Sequence, residues 1–332
     1  MSISVMTEIA SKRDIEPLQG VFLESMYCCL SPAGASLLQG RREHPLQGRP
    51  QVSVSTEYPW FINRTWRFAR LTPVCRKLTA SSPALYPFGM TTFKTLWESP
   101  SAELALPENE VHVWRVALDP PTARIKELAQ TLSADECERA SRFHFEEHRG
   151  HYIVARGVLR ALLARYLDKS PETLRFIYGE HGKPALDEEA LCFNLSHSGT
   201  LALYALARNR TVGIDVEYMR EKVAREQIAG RFFAPQEVAA LKAVSAELKE
   251  AAFFKCWTRK EAYLKARGDG ISVPLDSFAV GLGEETALLG CKPDPGEVAR
   301  WSLQGLDPGP GYAAALCVEG NDWMPRCYQW KG

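Results

Sequence analysis

The chain has 332 residues, with 40 lysines and arginines against 40 aspartates and glutamates, and nine cysteines. At about 150 residues per domain it has room for two domains of ordinary size, and its formal neutrality argues against the basic surface that nucleic acid or anionic lipid demands. No CxxC pair is present and only Cys28 and Cys29 are adjacent, which fits free thiols in a reducing cytoplasm and neither a disulfide framework nor a zinc site.

No apolar run approaches the roughly 18 residues of a membrane span. Glu8, Asp14 and Glu16 stand where a signal peptide would be basic and then apolar, so a cytoplasmic protein is expected. Residues 1–100 read as a leader, poorly ordered or not native, with "PLQG" at Pro17 to Gly20, "LLQG" at Leu37 to Gly40 and "PLQG" again at Pro45 to Gly48 among Arg, Pro and Ser clusters. Such a segment lacks the apolar periodicity to build a core, and Met90 is a candidate native start.

From Glu110 the character changes. "VHVWRVAL" at Val111 to Leu118 alternates like a strand and stops at Pro120-Pro121. "LSADECERASRF" predicts a helix capped at Ser133, with Glu136 at capping-box spacing. "GHYIVARGVLRALLARYL" places Ile153, Val154, Val158, Leu162, Leu163 and Tyr166 on one helical face. The arginines of this segment, Arg149, Arg156, Arg160 and Arg165, read first as a solvated face. Strand-like runs follow at Arg175 to Gly179, Leu191 to Gly199 and Leu201 to Ala207, and Arg208-Asn209-Arg210 is read as the turn of a hairpin leading into "TVGIDVEYM". Helical pattern then covers "RFFAPQEVAALKAV" and "KCWTRKEAYLKARGDG", before strands at "FAVGL", "WSLQGL" and "GYAAALCV". The expected fold is α+β: two similar α/β lobes related by a pseudo-twofold, 101–212 and 213–332.

Several residues have chemistry to offer. In "GIDVE" the strand alternation sends Asp215 and Glu217 to one face, and two carboxylates so close ask for a cation, such as Mg²⁺, between them; a solvated strand face is the plainer alternative. On the later helix Trp257, Glu261 and Lys265 lie four apart, along one edge. Glu261 with Lys265 reads either as a surface ion pair or, with the DxE pair, as a metal-and-lysine set suited to phosphoryl chemistry. The loop "NLSHSG" offers Asn194, Ser196, His197 and Ser198 as donors to a phosphate, and "GEHGKPAL" presents Lys183 on a turn. A Ser-His hydrolase fits poorly, since no GxSxG elbow is present.

"GKPAL", "FNLSHSG", "GIDVE" and "KCWTRKEAYLKARGDGI", in this order, resemble the Sfp-type 4'-phosphopantetheinyl transferases over roughly Val111 to Val318. The resemblance implies that coenzyme A lies in the cleft between the lobes, and that its phosphopantetheine arm moves to a serine of an acyl or peptidyl carrier protein with release of 3',5'-ADP. It also implies Mg²⁺ on Asp215, Glu217 and Glu261. Glu261, or a water it holds, would be the general base and Lys265 would steady the breaking pyrophosphate. Lys183, Ser196 and His197 would hold the nucleotide's phosphates, joined by Arg149 and Arg156. The leader has no counterpart in the family's pattern. A monomer acting on a small acidic carrier domain, away from nucleic acid and membrane, is expected. Two other readings compete: a Mg²⁺-dependent nuclease, which would want a basic stripe, and a non-enzymatic coenzyme A-binding module, which would not need three acids.

Overall fold

The structure, a computed structural model, describes residues 95–101, 104–187, 190–220, 225–283, 287–292 and 294–332. The proposed start at Met90 and the leader expected up to residue 100 lie outside these residues, apart from 95–100. In chain order the first half runs β1 (Glu110–Ala117), α1 (Thr122–Ala129), α2 (Ala134–Ser141), α3 (Glu146–Leu167), β2 (Phe176–Tyr178), β3 (Pro184–Leu186), β4 (Leu191–Ser198) and β5 (Leu201–Arg208). The second runs β6 (Val212–Tyr218), α4 (Arg225–Phe232), α5 (Pro235–Ala243), α6 (Lys249–Arg267), β7 (Phe278–Val280), β8 (Leu288–Cys291), α7 (Glu297–Arg300), β9 (Trp301–Leu306), β10 (Tyr312–Glu319) and β11 (Met324–Gln329). Each half has a strand, three helices, a two-stranded ribbon and two more strands, to which the second adds the short α7 and β11. Strand order repeats too: β1-β5-β4 in one sheet and β6-β10-β9 in the other.

Alternation along the strands sorts residues into layers. Val111 and Val113 of β1, Leu203 and Ala205 of β5, Ile214 and Val216 of β6, and Leu316 of β10 share one buried cluster between the two sheets. The opposite face of the first sheet carries Trp114, Val116, Tyr204 and Leu206 against α3. The opposite face of the second carries Ala313, Ala315 and Cys317 against α6. The layers therefore run helix, sheet, sheet, helix, and the second helix lies on small residues where the first lies on large ones.

Helix ends follow from local chemistry. Ser133 and Ala234 precede α2 and α5, and in each helix the third residue, Glu136 or Glu237, turns back to accept the N–H of that preceding residue at 3.0 Å or 2.8 Å. Pro235 opens α5 and separates it from α4, so the single helical run read across "RFFAPQEV" is two helices. α6 ends at Gly268, whose φ of +79° is left-handed and suits a residue without Cβ.

Three expectations are corrected. β5 and β6 do not form a hairpin: β5 pairs with β1 and β4, and β6 pairs with β10 in the other sheet. The short link at Arg208-Asn209-Arg210 carries the chain from one sheet to the next. Arg156 and Arg160 are not on a solvated face, because both are buried against Glu136: Arg156 Nη2 lies 2.5 Å from Oε1 and Arg160 Nε 2.6 Å from Oε2. "NLSHS" is not a loop, since β4 extends to Ser198.

One element leaves its own half. β11 runs parallel to β1 at the edge of the first sheet, and Glu98 bridges to Tyr328 on its far side. Trp97 Nε1 donates to the Asp307 carbonyl at 2.8 Å, so residues 95–98 tie onto both halves. Among the described residues no helix is long and apolar enough to cross a membrane.

Candidate active site

The site forms where β4, β6 and α6 meet. Gly213 is the second residue of β6, and a Cβ there would lie 2.2 Å from the Ala262 carbonyl oxygen and 2.2 Å from the Ala266 nitrogen. Only glycine lets α6 come down to this distance, and that approach sets Glu261 and Lys265 over the face of β6 that carries Asp215 and Glu217. The same face of β1, the corresponding strand of the first half, carries Trp114 and Val116. At these positions the second half carries acids where the first carries apolar side chains.

Lys265 Nζ pairs with Asp215 Oδ1 at 2.6 Å and also donates to Ser196 Oγ at 2.8 Å. Ser196 Oγ donates to Asp215 Oδ1 at 2.9 Å and accepts the Val216 N–H at 3.3 Å. A hydroxyl has one proton and two lone pairs, so Ser196 is fully used. One step along, Ser198 Oγ donates to Glu217 Oε2 at 2.9 Å and accepts the Tyr218 N–H at 3.1 Å. One step back, Asn194 Oδ1 accepts the Ile214 N–H at 2.8 Å. Three alternate side chains of β4 thus replace a backbone ladder and join the two sheets. Asn, Ser and Ser at two-residue spacing were legible as donors, but not their targets, because the β4–β6 pairing is not sequential.

Electrostatics follow burial. Burial raises the Asp215 carboxyl above its ordinary value; Lys265 opposes this and Glu261 adds to it. Glu217 is pushed up to about 7, chiefly by burial and then by Asp215, with the Ser198 hydrogen bond working the other way. His197 is pushed down to about 4 by burial and by the Lys265 charge, so near neutral pH it is an uncharged donor or acceptor.

The remaining expected residues lie further out. Lys183 Nζ donates to the Val212 carbonyl at 3.1 Å and the Ala266 carbonyl at 3.0 Å, linking the turn before β3 to the start of β6 and the end of α6. Arg149 pairs with Glu146 at 2.9 Å. Arg156, committed to Glu136, also reaches Tyr178 Oη at 3.2 Å. Trp257 is fully buried against Phe233 and Phe253 and anchors the helix that carries Glu261.

The donor chemistry fits a hard divalent cation. Asp215 Oδ2 is buried with no hydrogen-bond partner, and three acids on facing elements offer the oxygen ligands that such a cation takes. As they stand, no three acidic, histidine or cysteine side chains among the described residues are gathered closely enough to hold an ion; Asp215 meets Lys265 instead.

Known proteins bear on this geometry in two ways. Residues 211–317 match the family model described as the 4'-phosphopantetheinyl transferase superfamily, and residues 117–209 match the one for the 4'-phosphopantetheinyl transferase N-terminal region. The 4'-phosphopantetheinyl transferase HetI of a Nostoc species is 42% identical over 239 residues, which is 70% of this chain and 98% of the relative. The chain belongs to the 4'-phosphopantetheinyl transferase superfamily. Among Sfp-type transferases, Sfp of Bacillus subtilis is 30% identical over 58% of this chain and 84% of its own length. The transferase psf-1 of Bacillus pumilus is 33% identical over 60% of this chain and 85% of its own.

Proposed function

We propose that this 4'-phosphopantetheinyl transferase moves the arm of coenzyme A onto a serine hydroxyl of an apo acyl or peptidyl carrier protein, releasing 3',5'-ADP with Mg²⁺ present. The single observation that carries the reading is the Lys265–Asp215–Ser196 constellation, set beside Glu217 and under the helix of Glu261.

Asp215, Glu217 and Glu261 would hold the Mg²⁺, which when bound screens the pyrophosphate and stabilises the charge that builds as it breaks. The carrier's serine oxygen bonds to the phosphorus that bears the pantetheine, and the bond from that phosphorus to the bridging oxygen breaks. The serine proton passes to Glu261, directly or through a water, which is the role of a general base. Lys265, one turn further along α6, offsets negative charge on the departing bisphosphate. Ser196, through its bonds to Asp215 and Lys265, and His197, the next residue of β4, are assigned to the phosphates. Lys183, at the junction of β6 and α6, and Arg149 are assigned to the nucleotide; Arg156, also expected there, is buried against Glu136 and is given no direct contact with it.

The two lobes, 101–212 and 213–332, hold coenzyme A between them in this reading, and the protein works as a cytoplasmic monomer. The six described cysteines are free thiols, which agrees with a reducing compartment.

Intact-mass spectrometry of an apo carrier protein incubated with coenzyme A, Mg²⁺ and this protein tests the proposal. The carrier gains one phosphopantetheine, and EDTA prevents the gain. No gain across several unrelated carriers would overturn the reading in favour of coenzyme A binding alone.

A further inference from the structure

Two serines touch the carboxylate pair, but they are placed differently. Ser196 serves Lys265, Asp215 and Val216 together, so any change there disturbs three groups. Ser198 serves only Glu217 and the Tyr218 N–H among the hydrogen bonds described, and it comes from the opposite half of the molecule.

The turn that carries Ser198 is pinned. Gly199 has φ +56°, and a Cβ there would lie 2.8 Å from the Tyr312 hydroxyl. That hydroxyl accepts the Thr200 N–H at 3.2 Å, and the Tyr312 ring packs 5.1 Å from that of Tyr218. The end of β4 therefore cannot shift along β6 without breaking these contacts. Ser198 is buried, and its single proton is committed to Glu217 Oε2.

We propose that Ser198 is a positioning residue: by donating to Glu217 Oε2 while accepting the Tyr218 N–H, it fixes the orientation of the second carboxylate to the backbone of that carboxylate's own strand. The proposal rests on the reading of Asp215, Glu217 and Glu261 as metal ligands. A carboxylate so held loses little further freedom when it takes a cation, which is how hydrogen bonds behind a ligand raise affinity. In this proposal the serine acts through Glu217 alone.

Mn²⁺ titration followed by electron paramagnetic resonance, on the full chain without coenzyme A, tests this. Ser198→Ala weakens Mn²⁺ binding by roughly 10- to 100-fold, whereas Ser198→Thr, which restores a hydroxyl, binds within a few-fold of wild type. Melting temperatures stay close, since Tyr218 is exposed and water can serve its N–H. In the transfer assay the Ala variant needs more Mg²⁺ and regains most of its kcat when saturated. Should S198A melt far below wild type, the isosteric pair S198T and S198V makes the same comparison. Mn²⁺ binding by S198A equal to wild type, or equal in S198T and S198V, overturns the proposal alone. A wild-type chain that binds no Mn²⁺ removes the metal reading, and this proposal with it.

Discussion

A buried carboxylate needs cations or N–H donors around it, and the chain satisfies this need in unlike ways on its two long helices. Glu136 faces Arg156 and Arg160 of α3. Glu237 faces Lys260 of α6 at 2.8 Å and accepts the Val280 N–H at 2.8 Å. Both are structural. Breaking a buried pair leaves an uncompensated charge, at about 3–5 kcal/mol, and Glu136→Gln is expected to lose stability of this order in urea unfolding. The pH dependence has a definite sign. Burial pushes the Glu136 carboxyl up, but the two guanidiniums outweigh it and the net shift is downward from 4.5. Its contribution is complete above that value and is lost as pH falls below it. The gap between wild type and E136Q is therefore widest near neutral pH and narrows in acid; a gap independent of pH would refute this account. Glu261→Gln is the contrasting case: it is expected to abolish transfer in the mass assay with the melting temperature nearly unchanged, and near-normal turnover would remove Glu261 from the chemistry. The capping spacing at Ser133 and Glu136 was legible in the sequence; that Glu136 would draw two arginines inward was not, because its partners lie 20 and 24 residues away.

At the scale of elements, the approach of α6 to β6 decides whether the site exists. Gly213→Ala puts a methyl group 2.2 Å from helix backbone, and backbone cannot turn aside as a side chain can. Helix or strand must shift, at about 1–3 kcal/mol or more. G213A is expected to melt several degrees lower and to lose transfer more completely than stability, measured by calorimetry beside the mass assay. Lys183 closes the same junction from its far side, since a cation on the last carbonyls of a helix is favourable by about 0.3–2 kcal/mol. Lys183→Met is expected to lower the melting temperature by a few degrees; an unchanged melt with weaker coenzyme A binding would instead assign the ammonium wholly to the nucleotide. The long helices and the strand of Asp215 and Glu217 were legible because their apolar periods run for several turns or pleats. α1 and β11 were not read at all: β11 is the six residues "MPRCYQ" with a proline inside, a pattern demoted to an edge or a loop. An edge is where it lies.

For the whole molecule, the repeat of strand order gives two halves of like construction joined by side chains of β4 rather than by a shared ladder. The resemblance read from four motifs anticipated the family and the α+β architecture. It did not anticipate that the last strand returns to the first sheet, because no local pattern records a partner so distant. Cutting the chain after Gly320 removes β11 and bares the edge of β1. Hydrogen exchange on that truncation is expected to show faster exchange in β1 and β5, with β6, β9 and β10 still protected; equal protection throughout would show that β11 is dispensable.

The return of β11 also bears on how the protein is made. Arg115 Nε donates to Gln329 Oε1 at 2.7 Å across a separation of 214 residues, which at ribosomal speed means roughly 10–40 s between the emergence of the two partners. During that interval β1 can meet β5 but not its other neighbour, so the nascent first half waits with one strand edge open. A bulky segment inserted close to β11 would act on this closing step and is expected to reduce the yield of soluble protein.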